Sequence, residues 1–214
     1  MNNAVLIQQC YPGGGYEEMI ELTRERNEKY CERWGFDYQV HIDPIVPEWD
    51  IKHGGWAKIE LIRRALYAGY DYIIWLDADA MIYDLDTDLR DGCPNGIGAC
   101  YHRIPQLNHW NVGVMLMKNS HEVKLFIGEW LSKFPGANDG WYEQGEFNRL
   151  GMKSKVVHTL SDKWNATLNV NMVPDAVILG FHGYGDAKQR YEAMKRISDK
   201  EAAKAQEKSE VHNG

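Results

Sequence analysis

No run of apolar residues in this chain exceeds about five, the length of the segment from Tyr72 to Leu76, whereas a membrane-spanning helix needs ~20. Met1-Asn2-Asn3 brings no basic stretch, and the apolar segment behind it is far too short for the core of a signal peptide. Basic charge is scarce as well. There are 24 Lys and Arg against 31 Asp and Glu, a net charge of -7, and no basic block, which argues against a nucleic-acid partner. Cysteine is limited to Cys10, Cys31, Cys93 and Cys100, expected as free thiols of a reducing compartment. A cytoplasmic location is therefore expected, and the Asn165-Ala166-Thr167 sequon would meet no glycosylating enzyme. No internal repeat is visible.

What the sequence does contain is ordinary globular material. Of its 214 residues, 44% are hydrophobic and 26% charged. A chain of this length buries ~70% of its unfolded surface on folding and needs no disulfide or metal staple. One domain is expected over residues 1–198. The polar segment 199–214 reads as a frayed helix, linker or tail that adds nothing to the core.

Short β-rich runs alternate with helical periodicity. Ala4 to Gln9 reads as a strand ended by Pro12-Gly13-Gly14-Gly15, and Glu17 to Trp34 as a helix. Asp37 to Ile42 is a second strand, stopped by Pro44 and Pro47, and Trp56 to Ala68 a second helix with Gly69 at its end. Asp71 to Leu76 is apolar on both faces, as a buried central strand requires. Further strands are expected at 97–101, 112–117, 156–160 and 176–181. Further helices are expected from a Ser120 cap to Phe134, over 140–150 with Asp139 near its N-cap, and from Ala187 to about Ser198. The alternation implies an α/β domain with a mostly parallel sheet, whose ligands sit beyond the C-terminal strand ends.

The strongest chemical signal lies at such an end. Trp75-Leu76-Asp77-Ala78-Asp79-Ala80 places two carboxylates just past a buried strand, where they can hold one hard divalent cation. Far along the chain, His182 closes the apolar run from Val177 to Phe181, a position for a neutral imidazole ligand. Gly183 and Gly185 allow backbone to approach an anion, and Lys188 stands near the start of a helix. Asp84, Asp86 and Asp88 match the opening of a calcium loop, but Leu89 replaces its glycine and Asn95 its final Glu. Cys93, Cys100, His102 and His109 match no common zinc spacing, and the two histidines, between two strand ends, could instead flank a binding cleft. Among the tryptophans, Trp34, Trp75 and Trp130 read as core, and Trp110, Trp141 and Trp164 as candidates to stack on a ligand.

The acid pair, followed at a distance by His182-x-x-Gly185-x-x-Lys188, resembles the metal and diphosphate set of retaining GT-A glycosyltransferases. His53-Gly54-Gly55-Trp56-Ala57-Lys58, the run from Gly69 to Ala80, Asn111-Val112-Gly113 and Trp141-Tyr142-Glu143-Gln144 are similar to glycosyltransferase family 34, which contains galactosyl-, mannosyl- and xylosyltransferases. The resemblance spans roughly residues 4 to 190. It implies a GT-A, Rossmann-like fold; the anchor and stem of most eukaryotic members have no counterpart in this sequence, so a compact, soluble member of bacterial or viral type is expected. It implies Mn²⁺ or Mg²⁺ held by Asp77, Asp79 and His182, with Asp77 also near the ribose. Gln8, Gln9, Tyr11 and Tyr16 would hold uracil and ribose, Lys58 and Asn111 would line the donor pocket, and Gly183, Gly185 and Lys188 would take the diphosphate. Glu143 and Gln144 would face the donor sugar, where Glu-Gln replaces the commoner Asp-Gln. The expected reaction moves a sugar from a UDP-sugar to a glycan or glycoside hydroxyl, with retention of configuration. The other readings of the same residues are a non-catalytic sugar-binding module and a nucleotide-sugar hydrolase or pyrophosphorylase. A pyrophosphorylase would carry a basic glycine-rich loop after its first strand, and here no basic residue follows until Arg24.

Overall fold

The computed structural model describes residues 3–212 except 43, 47–53, 105–106, 137–140 and 169. Pro47, His53 and Asp139, named above, lie outside the described residues. The chain runs β1 (Ala4–Gln9), α1 (Glu17–Trp34), β2 (Phe36–His41), α2 (Gly54–Ala68), β3 (Tyr72–Asp77), β4 (Ala80–Ile82), β5 (Ile97–Ile104), β6 (Leu107–Lys118), α3 (His121–Leu131), α4 (Tyr142–Gly151), β7 (Val157–Leu160), β8 (Ala166–Thr167), β9 (Ile178–Gly180) and α5 (Ala187–His212). The main sheet has the order β2-β1-β3-β6-β5-β7. β1 pairs in parallel with β2 and β3, and β5 with β7, while β6 is antiparallel to both its neighbours. The sheet is thus mostly parallel, as expected, with β6 alone reversed.

Period-two alternation splits the central strands between two cores. Val5 and Ile7 of β1, Trp75 of β3 and Met115 of β6 pack with Ile59 and Ile62 of α2, Trp130 of α3 and Phe147 of α4. Leu6, Ile74, Leu76 and Val114 point the other way, onto Tyr30 of α1, Trp164 and Ile178. This explains why β1 and β3 read as apolar on both faces. Trp164 belongs to this second core at 5% exposure, so it offers no face to a sugar. α1 ends at Gly35, whose φ of 69° lets its N–H reach the Cys31 carbonyl. α5 continues through His212, so the polar segment is helical rather than irregular where it is described. All four cysteines are free.

A second, three-stranded sheet fixes the site. β4 follows the acid pair directly and pairs antiparallel with β9, matching Ala80 with Gly180. The Phe181 amide donates to the Asp79 carbonyl at 2.9 Å, bringing the two signals read from the sequence side by side.

Candidate active site

A cleft of about 710 Å³ opens beyond the C-terminal ends of β1 and β3. Asp77, Asp79, Lys58, Asn111, Glu143, Gln144 and His182 all line it, as do Gln9, Tyr11, Tyr16 and Gly183. Because β6 runs backwards, Asn111 sits on its entering half, next to the end of β3.

Lys58 is the floor of this cleft. It is 3% exposed, and its Nζ lies 3.0 Å from Asp77 Oδ1, 3.6 Å from Glu143 Oε1 and 3.1 Å from the Val112 carbonyl. Burial pulls its pKa down, but the Asp77 and Glu143 carboxylates outweigh that and hold the ammonium charged. Trp75 Nε1 donates to Asp77 Oδ1 at 2.7 Å. Asp79 instead meets a guanidinium, Arg190 Nη1, at 2.8 Å. Burial, then the charge of Asp77, pushes the Asp79 carboxyl well above its usual range, and Arg190 works against that rise.

His182 is set by a chain of amides. Asn165 Nδ2 donates to Asn111 Oδ1 at 2.9 Å, that oxygen also accepts from the Gly113 amide at 2.9 Å, and Asn111 Nδ2 lies 3.4 Å from His182 Nε2. The imidazole stacks on His102 with ring centroids 5.1 Å apart. Burial, reinforced by Arg190 and His109, holds the His182 pKa down at about 4. His182 is therefore neutral near pH 7, the form that ligates metals.

On the opposite wall, α4 presents its first turn. Gln144 Oε1 accepts from the Val112 amide at 3.1 Å, Trp130 Nε1 donates to the Glu143 carbonyl at 2.8 Å, and Asn148 exchanges two bonds with the Trp110 backbone. Tyr142 takes a φ of 45°, a left-handed conformation uncommon for a bulky residue and found most often at functional sites. A Cβ at Gly55 would collide with the Glu143 carboxylate, so glycine there is what lets α2 and Glu143 approach.

Three of the expected residues lie elsewhere. Gln8 is fully buried, its Oε1 taken by Asn27 at 2.8 Å and Tyr38 at 2.6 Å, so it supports β1 rather than facing the cleft. Lys188 lines a neighbouring groove with Tyr184, Glu192 and Arg196, because the first turn of α5 turns it outward. Gly185 does not line the cleft either, but its carbonyl accepts from Arg190 Nε at 2.9 Å. Conversely, Arg190 gave no sequence signal, and Gly55 was read only as part of a motif, with no role of its own. Asn165, read only as part of a sequon, is 1% exposed and inaccessible to glycosylation in the fold. His102, His109 and Trp141 do flank the cleft, with His109 and Trp141 in edge contact at 5.1 Å.

No three His, Cys, Asp or Glu side chains among the described residues converge as a metal-holding group. The donor set still suits a hard cation. Three carboxylates face two side-chain cations in the cleft, and a neutral imidazole stands beside them.

The architecture is similar to that of solved GT-A glycosyltransferases, and part of the chain is similar in sequence to a glycosyltransferase family. Residues 4–93 match the galactosyl transferase GMA12/MNN10 family, the family 34 that the motifs resemble. An uncharacterized alpha-1,2-galactosyltransferase of Schizosaccharomyces pombe is 30% identical over 83 residues, 37% of this chain but only 22% of that protein's length. In structure, the chain is similar to a glycosyltransferase involved in glycosylation of the major capsid of PBCV-1, with a TM-score of 0.67 at 15% identity, covering 91% of this chain and 99% of that one. The galactosyltransferase LgtC, solved with donor and acceptor sugar analogs, gives a TM-score of 0.55 at 14% identity, over 92% of this chain and 95% of its own. GlyE of Streptococcus pneumoniae TIGR4 gives 0.53 at 14% identity, over 96% and 64%. No helix among the described residues is long and apolar enough to cross a membrane.

Proposed function

We propose that the chain is a metal-dependent glycosyltransferase that moves a sugar from a UDP-sugar to a hydroxyl of a glycan or glycoside, with retention of configuration. The observation that supports this most directly is the β4–β9 pairing, which sets Asp79 against Phe181 and His182 at the mouth of a parallel sheet. Asp77, Asp79 and His182 would hold Mn²⁺ or Mg²⁺, whose charge would offset that of the departing diphosphate. Gln9 Nε2 is buried without a partner in the cleft wall, which suits a base or ribose oxygen alongside Tyr11 and Tyr16. The donor sugar then falls between the acid pair and α4. As its bond to the diphosphate lengthens it gains positive character, and the Glu143 carboxylate and Gln144 amide oxygen stand on the far wall to stabilise it. Burial raises the Glu143 pKa overall, and the Lys58 ammonium works against that rise. His102, His109 and Trp141 edge the remaining opening, where an aromatic face suits an acceptor sugar.

Calorimetric titration with UDP, GDP and UDP-sugars, with and without Mn²⁺, tests the reading on wild type and Asp79→Ala. Metal-dependent UDP binding that Asp79→Ala weakens at least tenfold is expected, and the tightest UDP-sugar nominates the donor. Absence of nucleotide binding in every metal condition would leave a sugar-binding module as the better account.

A further inference from the structure

The cation that meets Asp79 in this fold is Arg190, not the lysine of the motif. Its guanidinium reaches into the cleft from the first turn of α5 and pairs with Asp79 Oδ2 at 2.8 Å, while Lys188 faces the adjoining groove. The two cations of the cleft are held very differently. Lys58 is enclosed, with Asp77, Glu143 and the Val112 carbonyl around its ammonium. Arg190 is held by two contacts: Nε donates to the Gly185 carbonyl, and one fork nitrogen, Nη1, donates to Asp79. Its side chain is 21% exposed, and the rest of its planar fork remains for another acceptor. Gly185 itself has a φ of 87°, so the tether rests on a backbone turn that other residues rarely adopt. α5 begins beside the glycine loop after β1, since a Cβ on Gly15 would lie 3.4 Å from that of Ala187. Arg190 thus stands where the acid pair, a helix N-terminus and a glycine-rich turn meet, the surroundings expected for a diphosphate.

Building on the functional reading above, we propose that Arg190 has two positions, occupying Asp79 in the empty cleft and transferring its charge to the donor diphosphate when Asp79 engages a divalent cation. Arg190 competes with the cation for Asp79 and cooperates with it through the nucleotide. The two ligands are therefore linked through one side chain, and the linkage is reciprocal. A planar fork suits the second position, since it can bridge phosphate oxygens in a bidentate manner.

The test is titration of Mn²⁺ alone, and of UDP at saturating Mn²⁺, into wild type, Arg190→Ala, Arg190→Gln and Lys188→Ala. Removing the guanidinium should move the two affinities in opposite directions: Mn²⁺ binds nucleotide-free protein about tenfold tighter, and UDP binds about tenfold weaker. Arg190→Gln keeps the bulk and should behave like Arg190→Ala, which guards against a folding defect in the smaller variant. Mn²⁺ affinity that is unchanged or lowered in both Arg190 variants overturns the proposal, as does a larger loss of UDP affinity in Lys188→Ala than in either. If wild type itself binds no UDP, the transferase reading has failed and the proposal with it. If wild type binds UDP but the Arg190 variants show no opposed shift, only the proposal has failed.

Discussion

A buried ammonium with no carboxylate beside it would shed its proton, and a buried carboxylate with no cation beside it would resist losing its own. Lys58 and Glu143 answer one another in this way, with the partly exposed Asp77 as the second carboxylate on the ammonium, and removing that charge leaves Glu143 buried without its cation. Lys58→Met should therefore cost about 3 kcal/mol of stability, the cost typical of breaking a buried pair from one side. Urea melts will read it as a lowered midpoint with an unchanged slope. Residues of this kind differ sharply in how far the sequence discloses them. Asp77 and Asp79 are legible because they end an apolar strand, and chemistry at that position needs only local pattern. Gln8 misleads because it alternates with Gln9 along β1, and only the register against α1 decides which amide faces the cleft and which bonds Asn27 and Tyr38. Gly55 and Asn165 matter through neighbours 88 and 54 positions away, Glu143 and Asn111, which no local spacing reveals.

At the scale of elements, the caps are where sequence and structure agree most closely. Ser120 was expected to start a helix, and its Oγ accepts from the Val123 amide at 3.2 Å. Ser120→Ala should lose ~1 kcal/mol, with thermal unfolding falling by roughly 2–4 °C. A larger fall would mean that Ser120 holds more than the cap. Strand ends were less legible. Read from 112 to 117, β6 begins at Leu107, and β5 reaches Ile104 rather than ending at Tyr101. The added lengths pair with each other as a polar ladder, with His102 opposite His109, so apolar pattern does not mark them. α3 ends at Leu131, three residues short of the Phe134 expected, and α4 begins at Tyr142, while Gly140, its expected start, lies outside the described residues. The helix start matters more, because the left-handed Tyr142 sets the direction from which Glu143 enters the cleft.

For the whole molecule, the cleft carries a dependence on acid. Burial, then the neighbouring imidazoles, lowers the His102 pKa to about 4, and His182 is lowered to the same region. An unfolded chain takes up these protons near pH 6.5, while the folded chain refuses them until about pH 4. The contribution of these two imidazoles is therefore full above about pH 6.5 and declines as pH falls through the interval below it, while the raised Asp79 carboxyl works the other way. His102→Phe should make the urea midpoint less sensitive to acid than that of wild type between about pH 7.5 and pH 5. The fold class was legible at this scale because strand–helix alternation needs no long-range knowledge. The separate three-stranded sheet was not, since β8 is two residues long and β4 three.

That small sheet also sets an order of events. Ala80 and Gly180 are paired across 100 positions of chain, and Asn111, Glu143, His182 and Arg190, which line the cleft with the acid pair, all follow the family-matched segment 4–93. A ribosome delivering roughly 5–20 residues per second releases the acid pair roughly 5–20 s before the strand that brings its histidine. Through that interval the growing chain carries an acidic motif with no cleft around it. β9 is the closing piece: until it docks, half-made copies of this protein cannot close the cleft around the acid pair.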